Sequence, residues 1–391
     1  MVKRKKAWLC VAVLWLFVQC ATKPSAVVTI INPSNLNRMG EVVELNWQEL
    51  TKTVTGLRAE NVMVFREGEE TPLVSQIFDK NLDGVPDQFL FMADVRAGDT
   101  SRYVIRNEYK LPSQDTAFVY GAIKMPREDY AWENDRIAFR VYGPPLAADV
   151  NNGIDVWCKR VPQLIIDKWY ALDEKPEDQG RQSYHEDHGE GADFFSVGTS
   201  LGCGGSAIFD NVTLIQPDVF KKAKLIANGP LRVSCELTYA PVSVGDNSIT
   251  EVKRITLDVG SNLNKIESVF SAEGSNDSLE VAVGLVKRTG TTYQSNWDNA
   301  WISLWGEVND VPDNGELGTV AMMSPKKFKE FREDKQHHLI IGTATLNQPF
   351  IYYVGAGWTG NGFFVDDDSW IAYIKEFVIK MDKPLVIKIG R

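Results

Sequence analysis

The stretch Leu231-Arg232-Val233-Ser234-Cys235-Glu236-Leu237-Thr238-Tyr239 decides the fold class, because Val233, Cys235, Leu237 and Tyr239 alternate with Arg232, Ser234, Glu236 and Thr238. A two-residue period puts the apolar side chains on one face and the polar ones on the other, the pattern of a half-buried strand. Downstream, Ile249–Val259 and Asn264–Ser271 flank Gly260-Ser261-Asn262, a turn that suits a hairpin, so three consecutive antiparallel strands are expected. Upstream, Val27–Ile31, Val42–Trp47, Val62–Phe65, Gln88–Met92 and Tyr103–Arg106 are short strand candidates separated by Gly, Asn and Asp clusters. The expectation is an all-β chain with a few short helices: an N-terminal β-sandwich over 26–120, then a large antiparallel domain over 121–391, parted near Gly121–Pro126. Helices are expected in two places. Gly153–Leu172 sets Ile154, Trp157, Val161, Leu164, Ile165 and Trp169 at roughly helical spacing, and Ser324–Asp334 opens with a Ser-Pro start. No segment reads as repeated βαβ units, which speaks against Rossmann and α/β-hydrolase folds.

The N-terminus reads as an export signal. Lys3, Arg4, Lys5 and Lys6 precede an apolar run from Ala7 to Val18 that is too short to remain across a bilayer. Residues 1–20 are therefore expected to form a lipoprotein-type signal, with Cys20 as the acylated residue and Thr22-Lys23-Pro24-Ser25 as the tether. Gln19 departs from the usual small residue at that site. Cleavage near Ala21 with release into the periplasm is the alternative, so the expected location is the periplasm or the outer membrane as a lipoprotein. The net charge of -10, with Lys and Arg spread along the chain, leaves no basic stripe for nucleic acid. Of the five cysteines, only Cys158, Cys203 and Cys235 belong to the body, so at most one disulfide can form among them.

Four segments carry candidate chemistry. Asp79, Asn81, Asp83 and Asp87 alternate oxygen side chains around Gly84, an arrangement that suits structural calcium and equally a solvated acidic turn; no other cofactor is implied. Tyr184-His185-Glu186-Asp187-His188-Gly189-Glu190 holds two of the four histidines beside carboxylates. Imidazole titrates near neutral pH and serves as acid, base or metal ligand, so His185 and His188 are the proton-transfer candidates. Trp132, Glu133, Asn134, Arg136, Arg140 and Tyr142 read as one strand mixing planar hydrogen-bonding groups with aromatic rings, as a sugar site does. Gly198-Thr199-Ser200-Leu201-Gly202 matches G-x-S-x-G, but the glycines and strand-like residues that follow do not make the helix a nucleophile elbow requires. Trp297, Trp301, Trp305 and Trp358 add aromatics next to glycines, and tryptophans on such loops suit sugar rings.

Taken together, Trp132-Glu133-Asn134-Asp135-Arg136, Tyr142-Gly143-Pro144, Tyr184-His185, Asp187-His188-Gly189 and Gly202-Cys203-Gly204-Gly205 resemble a family of exported bacterial proteins found with glycan-degradation genes. That resemblance implies a small N-terminal sandwich joined to a β-supersandwich similar to galactose mutarotase and to the C-terminal parts of many polysaccharide lyases. It also implies that Asn134 and Arg136 hold sugar hydroxyls while His185 and His188 move protons in the same cleft. Two classes of function remain open. One is a carbohydrate-active enzyme, foremost a lyase on uronate-containing glycan, with Tyr142 or Tyr184 as second proton carrier. The other is a noncatalytic glycan-binding lipoprotein, and a serine carbohydrate esterase stands third. The expected partner is a poly- or oligosaccharide, with membrane contact only through the N-terminal lipid.

Overall fold

Period-two alternation builds the first lobe as two facing sheets. The computed structural model describes residues 24–390 apart from 109–116, 211, 273–277 and 310. The expected signal segment and Cys20 lie outside the described residues. One sheet runs Val386–Gly390, Ser25–Ile31, Thr100–Asn107, Val62–Arg66, and the other Arg38–Asn46, Gln88–Val95, Ser75–Phe78. Val28, Ile30, Leu45, Phe89, Phe91, Tyr103 and Ile105 fill the space between them. The five strand candidates in this region lie on observed strands, except that Trp47 opens a helix.

The second lobe holds the decisive stretch. Arg232–Thr238, Asn247–Asp258 and Leu263–Ser271 are consecutive antiparallel neighbours in a nine-stranded sheet, with Arg232 opposite Asp258 and Arg254 opposite Glu267. A five-stranded sheet containing Cys203–Phe209, Ser278–Val286 and His337–Thr345 shares one apolar core with it. A further five-stranded sheet runs Gly191–Ala192, Asp155–Lys159, Ala138–Val141, Asp129–Asn134, Val119–Lys124. The fold is all-β, as expected. Cys158, Cys203 and Cys235 are buried free thiols.

Among the described residues there are three α-helices: α1 (Trp47–Thr53), α2 (Ile166–Asp173) and α3 (Asp367–Asp382). Periodicity alone misplaced two helices. The expected helix over Gly153–Leu172 is a strand, Asp155–Lys159, followed by the short α2, because Trp157 sits in a sheet and only the later residues coil. The expected helix over Ser324–Asp334 makes one turn, then the strand Phe328–Glu333 pairs with His337–Thr345; edge pairing outweighs a Ser-Pro start. The longest helix, α3, begins with a capping box in which Asp366 accepts from the Ser369 N–H while the Ser369 hydroxyl accepts from the Asp366 N–H. Its Trp370, Ile371, Ile374 and Val378 form one apolar stripe against the nine-stranded sheet. Burying side chains of this size contributes roughly 1.5–3 kcal/mol each.

A hairpin lies where the sequence suggests the boundary between lobes, since Val119–Lys124 pairs with Asp129–Asn134 and so spans Gly121–Pro126. The last strand, Val386–Gly390, returns to pair with Ser25–Ile31, and Ile387 and Ile389 pack on the first-lobe core. Between lobes, the buried Gln76 side chain accepts from the Leu231 and Arg232 N–H groups and donates to the Arg232 carbonyl. Arg232 in turn bridges Glu44 of the first lobe and Asp258 of the second.

Candidate functional site

Strand alternation in the small sheet sorts its residues into two faces. Tyr130, Trp132, Phe139, Val141, Val156 and Cys158 point into the main core. Ala131, Ala138 and Trp157 point the other way, under a lid made by α2 and Tyr184 of the histidine loop. On this outer face Arg140 and Asp155 are directly opposite on neighbouring strands. The Arg140 side chain is 2.6 Å from the Asp155 carboxylate, 2.8 Å from that of Asp193, and donates to the Tyr184 hydroxyl at 3.1 Å. Its guanidinium also lies over the rings of Tyr142, Trp157 and Tyr184. Asp129 completes the group at 3.9 Å, accepting from the Gly143 N–H and the Tyr170 hydroxyl.

Three buried aspartates thus surround one buried guanidinium. Desolvation raises all three carboxyls above the ordinary range, and Asp193 is pushed furthest by burial and by the Asp155 charge. Oδ1 of Asp193 has no hydrogen-bond partner. Burial also pushes the Tyr142 and Tyr184 phenols up, so both keep their protons at neutral pH.

The histidine loop crosses this cluster. His185 is 59 % exposed, and its Nδ1 lies 3.1 Å from the Asp193 carbonyl and 3.4 Å from the Asp193 carboxylate. A ring nitrogen facing a carbonyl must donate, so Nδ1 carries a proton and Nε2 is the ring nitrogen that can act as base when the ring is neutral. The loop leaves the site through Gly191, whose φ of +101° favours glycine and whose missing Cβ would lie 1.9 Å from the Cys158 carbonyl oxygen. His188 stands apart, 39 % exposed and 4.0 Å from Glu186. It lines a small cavity of about 40 Å³ with Trp169, Leu172 and Tyr184.

Other expected site residues have structural duties. Residues 132–144 form a hairpin rather than one strand, so Asn134 is a turn residue: its side chain accepts from the Arg136 and Ile137 N–H groups and donates to the Asp258 and Ser261 carbonyls. Arg136 lies over Phe363 and reaches Asn262 at 3.3 Å. Arg136 touches neither histidine; the two segments are linked through Lys159, which donates to Glu133 and the Asn134 carbonyl and pairs with Gly191, and through the loop that holds Gly360 and Asn361. Glu133 is buried, pairs with Lys159, and accepts from the Ile165 and Ile166 N–H groups, capping α2 from outside. Trp132 is buried with its indole N–H on Asn264, and Trp358 is buried beneath Arg160. Trp301 and Trp305 are core residues, while Trp297 is 60 % exposed. Ser200 is buried and bonded within its own turn, and a strand follows it, which removes the nucleophile geometry.

In the Asp79–Asp87 loop, between Ser75–Phe78 and Gln88–Val95, the side chains bind loop backbone: Asp79 accepts from Leu82 and Gly84, Asp83 from Val85, Asp87 from Lys80, and Asn81 from Asp83. Among the described residues no group of three or more His, Cys, Asp or Glu side chains is placed to hold a metal ion. Sequence reasoning missed Asp129, Asp155, Asp193 and Arg127. Arg127 lies over Tyr170 and Tyr184, donates to Asp173, and keeps its Nη1 without a partner.

A further buried ionic pair lies in the main core. Glu251 accepts from Ser206 and Ser268 and stands 3.6 Å from Lys253, whose ammonium lies over the Tyr239 ring. Burial lowers the Lys253 pKa, partly offset by Glu251.

Fold and site together define a two-lobed β-sandwich protein with a cross-strand ionic cluster opening on an exposed histidine. Residues 30–387 match the family described as "Domain of unknown function (DUF4861)", and the chain belongs to it. It is 32% identical over 399 residues to an uncharacterized protein of Formosa agariphila, covering 97% of this chain and 98% of that one. Among solved structures it is similar to an alpha-mannosidase from Enterococcus faecalis (TM-score 0.48, 10% identity, 94% of this chain and 46% of that chain). A second similar structure is a glycosyl hydrolase family 38 protein from the same organism (TM-score 0.48, 11% identity, 94% and 47%). The chain spans about half the length of either, and likenesses of this size carry no argument about activity.

Proposed function

We propose that the protein is an exported carbohydrate-active enzyme that moves a proton at His185, on a poly- or oligosaccharide and foremost on a uronate-containing glycan. The observation that carries the reading is the exposed imidazole whose Nδ1 faces the Asp193 carbonyl, above an Arg140 cluster that fixes Asp193. That supports His185 Nε2 as a base. In a lyase reaction Nε2 takes the proton next to the uronate carboxylate, the electron pair forms the C4–C5 double bond, and the C4–O bond breaks. Tyr142 or Tyr184 then gives its proton to the leaving oxygen. Arg140 is fully engaged by its aspartates, so Arg127, partly exposed beside Tyr184, is the cation left to meet the carboxylate. The carbohydrate class itself rests on the family resemblance of the sequence.

Purified protein incubated with uronate-containing oligosaccharides tests this through the absorbance of the unsaturated product. Turnover that His185→Ala reduces by about 10²–10⁴-fold, with binding retained, is expected. Binding without turnover, lost in His185→Ala, would favour the glycan-binding lipoprotein instead. Lipidation is tested separately: Cys20→Ser should release the protein from the membrane fraction, and unchanged fractionation would leave ordinary signal cleavage.

A further inference from the structure

A cavity of about 290 Å³ lies where the first lobe, the nine-stranded sheet and α3 meet. Clefts between lobes are common ligand sites, and this volume is at the small end of their range. Its floor is the outer face of the sheet, where Thr256 stands opposite Lys265, Lys265 opposite Tyr353, and Arg254 opposite Glu267. Farther along the same sheet, the apolar stripe of α3 covers Trp301, Trp305, Val320 and Met322. The polar stretch is therefore the part of the face left open. Phe377 of α3 meets the Tyr353 ring edge-on at 5.2 Å and closes one end with aromatic surface. The opposite wall carries Glu44 and Lys80 from the first lobe. Arg232 and Gln76 hold the two walls together, so the cleft is preformed.

The charge pattern selects the ligand. On the floor each cation already has a carboxylate: Arg254 pairs with Glu236 at 3.0 Å and Lys265 with Glu267 at 3.2 Å. An anionic ligand would have to break those pairs. Hydroxyl groups, which donate and accept at once, match alternating cations and carboxylates without displacing them. An aromatic end wall suits the C–H face of a sugar ring. We propose that this cleft binds one neutral pyranose unit of a glycan, at a site separate from the His185 cluster.

Calorimetric titration of the full chain with the methyl pyranosides of glucose, galactose and mannose, and with glucuronate as charged control, tests the site. At least one methyl pyranoside should bind, glucuronate more weakly. Glu267→Gln and Lys265→Met should each weaken that binding about tenfold or more, equal to about 1.4 kcal/mol, with unchanged melting temperatures. His185→Ala should leave it unaltered, which separates this site from the proton-transfer reading. Absence of pyranoside binding, preference for glucuronate, wild-type affinity in both cleft variants, or loss of binding in His185→Ala would each overturn the proposal.

Discussion

The Arg140 cluster and the Glu251–Lys253 pair both bury charge, yet they differ in balance and in access. Glu251 and Lys253 match one for one and are sealed in the core. Arg140 faces three aspartates, one of them with an unpartnered oxygen, and an exposed imidazole sits above. A sealed, matched pair can only hold structure. An overcharged cluster beneath an exposed imidazole also sets carboxyls that burial shifts upward beside a ring open to solvent. The difference teaches that burial of charge alone does not single out a candidate site; imbalance and an exit to solvent do.

The comparison breaks first at the sealed pair. Glu251→Ala leaves Lys253 buried without its counter-charge and should cost about 3–5 kcal/mol in urea unfolding, while the double variant Glu251→Leu, Lys253→Met should recover most of it. A loss below about 1 kcal/mol would mean that the pair is hydrated and not sealed. Next comes the exit from the histidine loop. Gly191→Ala forces a side chain into a left-handed backbone against Cys158 and should cost about 1–3 kcal/mol, read as a lowered melting temperature.

The pH dependence sharpens the other half. Asp193 has its folded pKa raised, so its favourable contribution is complete below the unfolded carboxyl value and is lost as pH rises through the folded one. Wild-type stability should therefore decline from mildly acidic toward alkaline pH. Asp193→Asn, which cannot ionise, should flatten that decline, and an identical profile in both proteins would show that Asp193 does not carry it. The smallest effect is expected in the first lobe. Asp83→Ala forfeits the hydrogen bond to the Val85 N–H and should cost about 0.5–1.5 kcal/mol without altering sugar chemistry. A wild-type melting temperature that falls on chelation would assign calcium to the loop.

Much of the fold was legible because a half-buried strand writes its two faces into alternate residues, as Arg232–Thr238 does. The helices were less so. Trp157 fits a helical spacing by coincidence, and α3 follows directly on glycine- and aromatic-rich residues that read as loop. At the candidate site, paired histidines beside carboxylates pointed to the loop that carries Tyr184 over the Arg140 cluster. Arg140, Asp155 and Asp193 could not be joined in advance, since only strand register brings residues so far apart in sequence to one guanidinium. Asn134 and Glu133 misled for a physical reason. A turn-forming amide and a buried helix cap use the same hydrogen-bonding groups as a sugar site.

The pairing of Val386–Gly390 with Ser25–Ile31 sets an order of events during synthesis. While the ribosome is still making the second lobe, the first sheet already has its strands Ser25–Ile31 and Thr100–Asn107, but the outer side of Ser25–Ile31 has no neighbour. Such a margin can recruit strands from other chains. The lobe that emerges first is thus the last to be finished, and a product that stops short of Val386 keeps an adhesive edge.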